Sequence, residues 1–376
     1  MINAADSDTY ERFKQGNIDA CNVAPHDFAD ILRENVMPIA PAGMSNVTLC
    51  DGSVTGANEG AIAHAMTTYA QNHGRKAGSV LGFENASHGN SVATLSVSDS
   101  RVNTANSPTF DWPKAALPAV KYPQHQFSHE NAAAEAEALQ NVADLITQHR
   151  DANTDIAAII IEPISAFENK QATPTFYKKL RALAKEHGVV FICDETRTGV
   201  GASGKMWAHE HWYLNEDMDG GAPDLVTFGG RAGISGFYSS REYAPLWSSE
   251  QHVNVVDVLS YGSMWRTIQA RNYLKMVDHS GSFLKIELGN IERDFHGLVR
   301  NVRGNGTYLG FDVASQKEAD LIQSWLLKCG ILVGRSGPAT LSLRPALCML
   351  PLEAKHLREA LKNYSPHHNQ HRTQWA

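Results

Sequence analysis

The sequence predicts an α/β fold in which helices cover both faces of a mostly parallel sheet. Two runs, Ile156–Ile161 and 189–193, are uninterrupted and rich in β-branched residues, which is typical of strands that are buried on both faces. Between them, Pro174 opens a helical pattern that ends near Gly188. A strand, a helix and a strand with short connections form a right-handed βαβ unit, and hence a parallel pair of strands.

Composition indicates a globular chain that does not span a membrane. The 376 residues are 43% hydrophobic and 19% charged, with a mean hydropathy of −0.31, which excludes a disordered or collagen-like chain. No apolar run approaches the roughly 18 residues of a membrane-spanning helix. The net charge of −7 argues against nucleic acid as a partner. The length is typical of about two domains or one large α/β subunit.

The cysteine and histidine patterns indicate neither disulfides nor a metal site. His209 and His211 flank Glu210, but three consecutive residues rarely converge on one ion, so no metal is expected. A scattered, odd number of cysteines predicts buried thiols in a reducing compartment, hence the cytoplasm. The five cysteines form no CxxC motif: Cys21, Cys50, Cys193, Cys329 and Cys348.

Further periodic stretches extend the fold at both ends. Residues 57–72 place small and apolar side chains on one helical face, and Gly74 follows as a stop signal. In the last hundred or so residues, 307–312 alternates as a strand and 318–328 is helical. Short apolar pieces at 330–333 and 341–344 add hairpin-type strands. This mixture predicts a smaller α+β domain.

Acidic residues end both buried strands, namely Glu162 and the pair Asp194 and Glu195. Ligands of open parallel sheets bind beyond the carboxyl ends of the strands, and a poorly solvated carboxylate needs a cation or a hydrogen-bond donor. A functional role and a structural one are equally consistent with this position. Gly52 and Ser53 precede the helix predicted for 57–72, where free N–H groups hold an anion unless Ser53 or Thr55 is an ordinary N-cap.

Several motifs resemble one enzyme family. The runs FICDETRTGVGASGKMWAHEHW (191–212) and PDLVTFGGRAGISGFY (223–238) are similar to class III aminotransferases, as are IIIEPI, VRGNGTYLGFDV and LSLRPAL. The pieces AHEHW and FDWP are most similar to the 4-aminobutyrate (GABA) aminotransferase branch. The resemblance implies a fold-type I subunit, pyridoxal phosphate as cofactor, and a homodimer with the active site at the dimer interface.

The resemblance implies cofactor-binding roles for four residues. Gly52 and Ser53 match the family's phosphate-binding pair, and His88 matches the histidine beside the cofactor ring. Asp194 matches the aspartate that pairs with the pyridine nitrogen. That pairing keeps the nitrogen protonated, so that the ring can act as an electron sink.

The resemblance also implies substrate-binding roles. Glu162 and Arg344 match the glutamate and arginine that pair with each other and share the substrate carboxylate. Ser260 is the candidate for the threonine with which a neighbouring subunit normally helps to bind phosphate. The ligand implied is a small amino acid or amine.

The implied domain organisation has three parts. Residues 1–45 form an N-terminal segment that is short relative to the family. Residues 46–278 form the large cofactor-binding domain with its mostly parallel sheet. Residues 279–376 form the small C-terminal domain.

One departure from the family falls on the central catalytic position. The lysine that forms the Schiff base with the cofactor is matched here by Arg231, and the preceding residue, often lysine in this branch, is Gly230. Arginine stays protonated under ordinary conditions, so it serves neither as the Schiff-base amine nor as a good proton shuttle. Lys205 matches a different lysine of the family.

Other departures surround the same site. Ser87 stands where an aromatic residue normally stacks on the cofactor ring, a contact worth about 0.5–1.5 kcal/mol. Asn90 replaces the arginine that receives the GABA carboxylate. Arg197 replaces a glutamine beside the cofactor's phenolic oxygen and adds a cation there. Residues 165–168 lack the family's glycine-rich continuation.

Three hypotheses follow. In the favoured hypothesis, the chain has lost normal transamination, and any bound pyridoxal phosphate is held without a covalent bond. The protein is then retained as a homodimer or as a partner of an active paralogue. In the second, it is a working enzyme for an ω-amino acid or related amine that does without the lysine. In the third, an active transaminase carries an engineered Lys-to-Arg change. The compartment expected is the cytoplasm, with the mitochondrial matrix as the alternative.

Overall fold

The structure, a computed structural model, describes residues 28–50, 52–76, 78–99, 107–214, 221–244 and 254–364. Its main sheet has seven strands in the order β1-β7-β6-β5-β4-β2-β3. Strand β7 is antiparallel to both of its neighbours, and the remaining pairs are parallel. The strands are β1 (Met44–Leu49), β2 (Ser79–Phe83), β3 (Lys114–Ala115), β4 (Ile156–Ile161), β5 (Val190–Asp194), β6 (Leu225–Phe228) and β7 (Gly236–Ser240).

The predicted βαβ unit is confirmed. Strand β4 has the predicted bounds, β5 is shifted by one residue, and the two pair in parallel with Ile159 opposite Phe191. The helix between them begins at Pro174, and Gly188 follows it with φ +67°. All eleven residues of β4 and β5 are buried, which agrees with a sheet that is covered on both faces.

Nine α-helices occur in the described part of the chain. The helix predicted for 57–72 spans Val54–His73 and ends at Gly74, whose φ of +66° and N–H bond to Ala70 form a left-handed cap. The helices are α1 (Phe28–Asn35), α2 (Val54–His73), α3 (Val92–Val97), α4 (Ser128–Asp151), α5 (Pro174–Glu186), α6 (Val255–Ala270), α7 (Tyr273–Asp294), α8 (Gln316–Lys328) and α9 (Pro351–Lys362).

The C-terminal part contains the expected second sheet. It has four antiparallel strands in the order β10-β11-β9-β8. The strand predicted at 330–333 is wrong: that stretch is irregular, and the ladder begins only at Gly334, opposite Ser342. The strands are β8 (Arg300–Asn305), β9 (Tyr308–Asp312), β10 (Gly334–Arg335) and β11 (Thr340–Leu343).

Two apolar cores correspond to the two sheets. The larger one covers one face of the seven-stranded sheet, whose other face packs in a separate cluster with α2. The smaller one lies between the four-stranded sheet and α7, α8 and α9. The predicted boundary near residue 278 falls inside α7. Val277 packs in the larger core and Leu284 in the smaller one, so a single continuous helix contributes to both.

Two expectations about surface and membrane can be compared with the structure. Among the described cysteines, only Cys193 is buried, whereas Cys329 and Cys348 are exposed. The expectation of uniformly buried thiols is therefore wrong, and Cys21 lies outside the described residues. No helix of the described ranges combines the length and the apolar character needed to cross a bilayer.

Two glycines of α7 provide a paired test of its packing. A Cβ at Gly281 would clash with the carbonyl oxygen of Gly306, whereas a Cβ at Gly289 would meet nothing within 4 Å. We expect Gly289→Ala to stabilise the fold by about 0.5–1 kcal/mol through helix propensity. Gly281→Ala should instead cost about 1–3 kcal/mol because the backbones must separate. Urea unfolding of both variants measures this, and equal effects would contradict the described contact.

Candidate active site

The site lies at the carboxyl ends of β4, β5 and β6, beside the start of α2. Glu162 directly follows β4, Asp194 ends β5, and the turn carrying Arg231 follows β6. Asn58 of α2 reaches across to this edge. The sheet therefore assembles here residues that are separated by more than a hundred positions in the sequence.

The carboxylate of Asp194 is the centre of a buried hydrogen-bond network. Its Oδ2 accepts from Nδ1 of His88 at 2.7 Å and from Nδ2 of Asn58 at 2.8 Å. Its Oδ1 accepts from the N–H and the hydroxyl of Thr196 at 2.9 and 2.6 Å. Thr227 donates more weakly to the same oxygen at 3.3 Å and more closely to Asn58 at 2.7 Å.

This network keeps Asp194 ionised. Burial alone would raise the pKa of its carboxyl group, but the hydrogen bond and electrostatic effect of His88, together with the two bonds from Thr196, outweigh burial. The pKa of Asp194 therefore lies below the ordinary value of 3.8. The other ring nitrogen of His88, Nε2, is buried and has no hydrogen-bond partner among the residues that the structure describes.

Glu162 is a second buried carboxylate with a different environment. Its Oε2 accepts from the backbone N–H groups of Ser87 and Ala166, each at 3.2 Å, while Oε1 has no hydrogen-bond partner. Burial raises the pKa of Glu162; His88 and Arg197 oppose that shift, and the charge of Asp194 adds to it. The two acids of the site therefore have pKa values that are displaced in opposite directions.

Arg197 is the cation nearest to Glu162. Its Nε lies 3.9 Å from Oε1 of Glu162, and its Nη2 donates to the hydroxyl of Ser87 at 3.2 Å. The small Ser87 side chain thus serves as an acceptor at the place where the family carries an aromatic ring. The expected place of Arg197 beside the cofactor's phenolic oxygen stays a prediction.

Arg344 and Glu162 do not form the ion pair that the resemblance implies. Arg344 lies on the ring of Tyr308, with its guanidinium carbon 4.6 Å from the ring centre. Tyr308 is 1% exposed, and its hydroxyl has no hydrogen-bond partner. Arg344 also borders a cavity of about 650 Å³ in the C-terminal part, to which Asp194 and Glu162 do not contribute.

The loop before α2 has the form of an anion cradle. Ser53 caps the helix by accepting from the N–H of Gly56 at 2.8 Å, so the N-cap interpretation is confirmed. Gly52 has φ +84° with nothing within 4 Å of a Cβ position, so its surroundings are open. The positive end of a helix dipole of twenty residues favours an anion here. The two interpretations of this loop are compatible.

The turn that carries Arg231 lies against the rest of the site. Gly230 has φ +54°, and a Cβ there would come within 2.8 Å of the carbonyl oxygen of Thr196, so a larger residue would strain this turn. Arg231 itself reaches the carbonyl oxygen of Pro345 at 3.5 Å, next to Arg344. Arg231 is exposed, but neighbouring groups desolvate its guanidinium in part and lower its pKa, although arginine remains protonated at any ordinary pH.

Sequence reasoning missed four groups of this site: Asn58, Thr196, Thr227 and Tyr308. The signal available for Thr196 was its position two residues after the strand-ending acid, where a side chain and an N–H readily bond back to the carboxylate. The others come from distant elements. Ser260, the candidate for phosphate binding, lies within α6 and donates to the carbonyl oxygen of Val256.

A buried cluster of possible metal ligands lies behind the site. Ligand atoms of Cys193, Glu195 and His209 all lie within 4.8 Å of one another. Glu195 Oε1 accepts from the backbone and ring N–H groups of His209 at 2.7 and 2.9 Å, and Oε2 accepts from Thr198. Burial raises the pKa of the Cys193 thiol well above its ordinary value, so hydrogen bonds account for this cluster without an ion.

Comparison with known proteins identifies the family. The model of the family "Aminotransferase class-III" matches residues 14–364. The chain belongs to the class III aminotransferases. These enzymes depend on pyridoxal phosphate and are commonly homodimers. The resemblance in the motifs is therefore confirmed at the level of the family.

Among the relatives, proteins named 4-aminobutyrate aminotransferase are prominent. That of Dictyostelium discoideum is 32% identical over 97% of this chain and 76% of its own length. That of Schizosaccharomyces pombe is 31% identical over 96% of this chain and 80% of its own length. The mitochondrial one of Sus scrofa is 30% identical over 86% and 69%.

Solved structures confirm the fold-type I architecture. A lysine aminotransferase from M. tuberculosis superimposes with a TM-score of 0.82 at 24% identity, covering 96% of this chain and 85% of that one. A Bacillus anthracis aminotransferase superimposes with a TM-score of 0.80 at 19% identity, covering 95% and 85%. The large mixed sheet with helices and the smaller second sheet belong to this shared fold.

The charges of the site residues suit pyridoxal phosphate, but Asp194 has little hydrogen-bonding capacity left for the cofactor's ring nitrogen. The cradle at Gly52 and Ser53 suits a phosphate, and the ionised Asp194 suits a protonated ring nitrogen. A carboxylate has about four acceptor positions, and four close donors already occupy those of Asp194. A ring nitrogen must therefore displace or share one of them.

The depressed pKa of Asp194 sets the pH dependence of stability. A group whose folded-state pKa is lowered contributes stability above its unfolded value, and that contribution is lost as the pH falls through the folded pKa. We expect Asp194→Asn to cost about 2–4 kcal/mol near neutral pH because buried donors lose a charged acceptor. The difference from wild type should shrink below the ordinary pKa of 3.8. Denaturant unfolding between about pH 2 and pH 7 measures it.

The exposed Asp111 offers the matched control. Asp111→Asn should change the free energy of unfolding by less than about 0.5 kcal/mol at every pH. A cost of Asp194→Asn that stays constant over the whole range would contradict the assignment of a lowered pKa.

Proposed function

We propose that this chain is a GABA-aminotransferase-like protein that binds pyridoxal phosphate without a covalent bond and does not carry out normal transamination. The observation that carries the proposal is Arg231. It follows β6 in a turn whose Gly230 approaches the carbonyl oxygen of Thr196. The resemblance implies that the Schiff-base lysine of the family stands at this position.

The cofactor would be held by charge and hydrogen bonds. Gly52 and Ser53, at the start of α2, would receive the phosphate, and Asp194 would hold the ring nitrogen with His88 behind it. When bound, the cofactor supplies an electron sink for carbanion chemistry. Ser87 provides no stacking surface, and Asp194 already has four close donors, so we expect weaker binding than an aromatic, lysine-bearing site would give.

Arg231 changes what the site can do with a proton. A catalytic lysine alternates between its charged and neutral forms, whereas a guanidinium stays protonated and has no lone pair for a carbonyl carbon. Arg231 would therefore bind and orient an anion but neither form a covalent bond nor accept a proton. Loss of a covalent catalyst normally costs several powers of ten in rate.

The ligand and assembly proposed follow the relatives. The named relatives act on 4-aminobutyrate, so a small amino acid or amine is the ligand class. We propose a homodimer as the basic assembly, with a heteromer containing an active paralogue as the alternative. Mass photometry of the purified chain, alone and with the paralogue added, measures the mass of the assembly and distinguishes the homodimer from the heteromer.

A second function is a lysine-independent enzyme for an ω-amino acid or related amine. One observation favours it: Nε2 of His88 is buried without a hydrogen-bond partner, and an unpaired imidazole nitrogen is the commonest proton acceptor in catalysis. If Arg231 were an engineered replacement of lysine, an otherwise active transaminase would also lack covalent cofactor binding. The Arg231→Lys variant tests that case as well.

Restoring a lysine tests the proposal. Wild type with added pyridoxal phosphate should bind it reversibly, and borohydride followed by intact-mass measurement should show no adduct. Arg231→Lys should gain one reducible adduct on that lysine, because the amine can lose its proton and attack the aldehyde. Dialysis after reduction separates bound from covalently attached cofactor.

Two outcomes would contradict the proposal. A borohydride-stable adduct on wild type would mean that another lysine does the chemistry. Turnover of amine and 2-oxoacid by wild type, abolished in His88→Gln, would favour the second function. Asp194→Ala is the control for the binding site: it should weaken cofactor affinity at least about tenfold, since a charged hydrogen bond is worth about 1.5–3 kcal/mol.

A further inference from the structure

Two cavities outside the active site share a wall that is formed by His211 and Tyr213. Neither Asp194 nor Glu162 lines either of them. The smaller one, the amide cavity, has a volume of about 230 Å³, and the larger one, the lysine cavity, has about 900 Å³. The residues that give the cavities these names are Gln124, Gln171 and Asn305 in the first and Lys205 and Lys275 in the second.

Tyr213 is an exposed aromatic residue with an unusual backbone conformation. Its φ of 53° and ψ of 44° are left-handed, and it is 62% exposed. A bulky residue rarely adopts this region, and such outliers are concentrated at functional sites. The neighbouring Trp212 is 3% exposed because it stacks on Tyr177 at 4.2 Å between ring centres. Of these rings at the amide cavity, that of Tyr213 is therefore the one open to a planar ligand.

The amide cavity keeps hydrogen-bonding groups of both kinds available. Nε2 of Gln124 donates to the carbonyl oxygen of Gln171 at 3.3 Å, and Nδ2 of Asn305 donates to Oε1 of Gln171 at 3.5 Å. Within the described ranges these three side chains make no other hydrogen bond. Gln171 thus retains a donor, its Nε2, and Gln124 an acceptor, its Oε1. A donor and an acceptor on adjacent residues suit the edge of a nucleobase.

His211 adds a further acceptor to the shared wall. Burial lowers the pKa of His211, and the charges of Lys205 and Lys285 lower it further, although the bond to Ser203 opposes this shift. The ring is therefore neutral near pH 7. Its Nε2 lies 3.0 Å from the carbonyl oxygen of Ser203, which can only accept. Nε2 therefore carries the hydrogen, and Nδ1 presents a lone pair.

The lysine cavity contains cations without fixed partners. Lys205 and Lys275 are exposed, and the described part of the chain offers neither of them an ion pair. The acids of this cavity are engaged elsewhere. Glu210 accepts from a backbone N–H at 3.1 Å, and burial raises its pKa. The charge of Asp278 acts on the half-buried Lys285. Two free ammonium groups suit a phosphate.

We propose that the two cavities together bind a nucleoside phosphate. The base enters the amide cavity, stacks on Tyr213 and bonds to Gln124 and Gln171, and the phosphate reaches Lys205 and Lys275. A neutral sugar would leave the lysines unused, and inorganic phosphate would leave the ring and the amides unused. The inference is independent of the proposed function, because no residue assigned to the cofactor lines either cavity.

Calorimetric titration of adenosine monophosphate (AMP) into the full chain tests the base site. Tyr213→Phe keeps the ring and should bind AMP as wild type does. Tyr213→Asn removes the ring with a residue that tolerates the left-handed backbone, and it should bind AMP about five- to a hundredfold more weakly. Phe110→Ala is the matched control, since Phe110 is 51% exposed and lines neither cavity; it should change nothing.

Comparison of AMP with adenosine tests the phosphate site. Adenosine should bind more weakly than AMP, and the double variant Lys205→Met, Lys275→Met should reduce AMP binding to the level of adenosine. We expect a loss of about three- to tenfold at low ionic strength that fades as salt screens the charges. Lys317→Met, at an exposed lysine of α8, is the control and should bind AMP as wild type does.

The results that would overturn the inference are distinct from failure of the proposed function. No AMP binding by wild type, equal binding by wild type and Tyr213→Asn, or equal affinity for adenosine and AMP would each refute it. AMP held instead at the cradle of Gly52 would be displaced by pyridoxal phosphate and unaffected by Tyr213→Asn, which also refutes it. A chain that binds AMP as expected but does not bind pyridoxal phosphate would refute the proposed function alone.

Discussion

The buried carboxylate of Asp194 is the interaction on which the site depends. A charge without solvent must be compensated, and the compensation here comes from Asn58 of α2, from His88 and from Thr196, two residues after β5. Thr227 of β6 in turn donates to Asn58. Each donor lies on a different element. The charge therefore fixes how these elements meet, in the way that a metal ion fixes its ligands.

This dependence means that the order of the site does not rest on Arg231. The donors around Asp194 are protein groups, so the network is complete within the chain, and Arg231 contributes nothing to it. The same completeness limits the cofactor, which must compete with four short bonds. The same two carboxylate oxygens of Asp194 thus stabilise the fold and would bind the cofactor's ring nitrogen. In this structure their hydrogen bonds go to the protein.

The sequence predicted the parts of the fold that local patterns determine. Residues 156–161 formed a buried strand because a β-branched run of that length is typical of one, and Glu162 and Asp194 met at one sheet edge because carboxyl ends of parallel strands do so. The apolar run at 330–333 misled, since periodicity cannot tell an edge strand from a loop. Asn58 and Tyr308 could not be predicted, because Asn58 bonds to Asp194 and Thr227 and Tyr308 packs on Ile164 and Ala202, all more than a hundred positions away in the sequence.

The arginines give the site a character that transamination does not require. Arg197, Arg231 and Arg344 keep their charge at any physiological pH, whereas lysines can be neutralised by burial. Of the two buried carboxylates, Glu162 lies 3.9 Å from Arg197, and Asp194 is already satisfied by its own donors. The positive charge near Arg231 and Arg344 is therefore balanced only in part by the protein. Such a site attracts anions whether or not it catalyses a reaction. Anion binding, measured separately from turnover, is therefore the property that follows most directly from these residues.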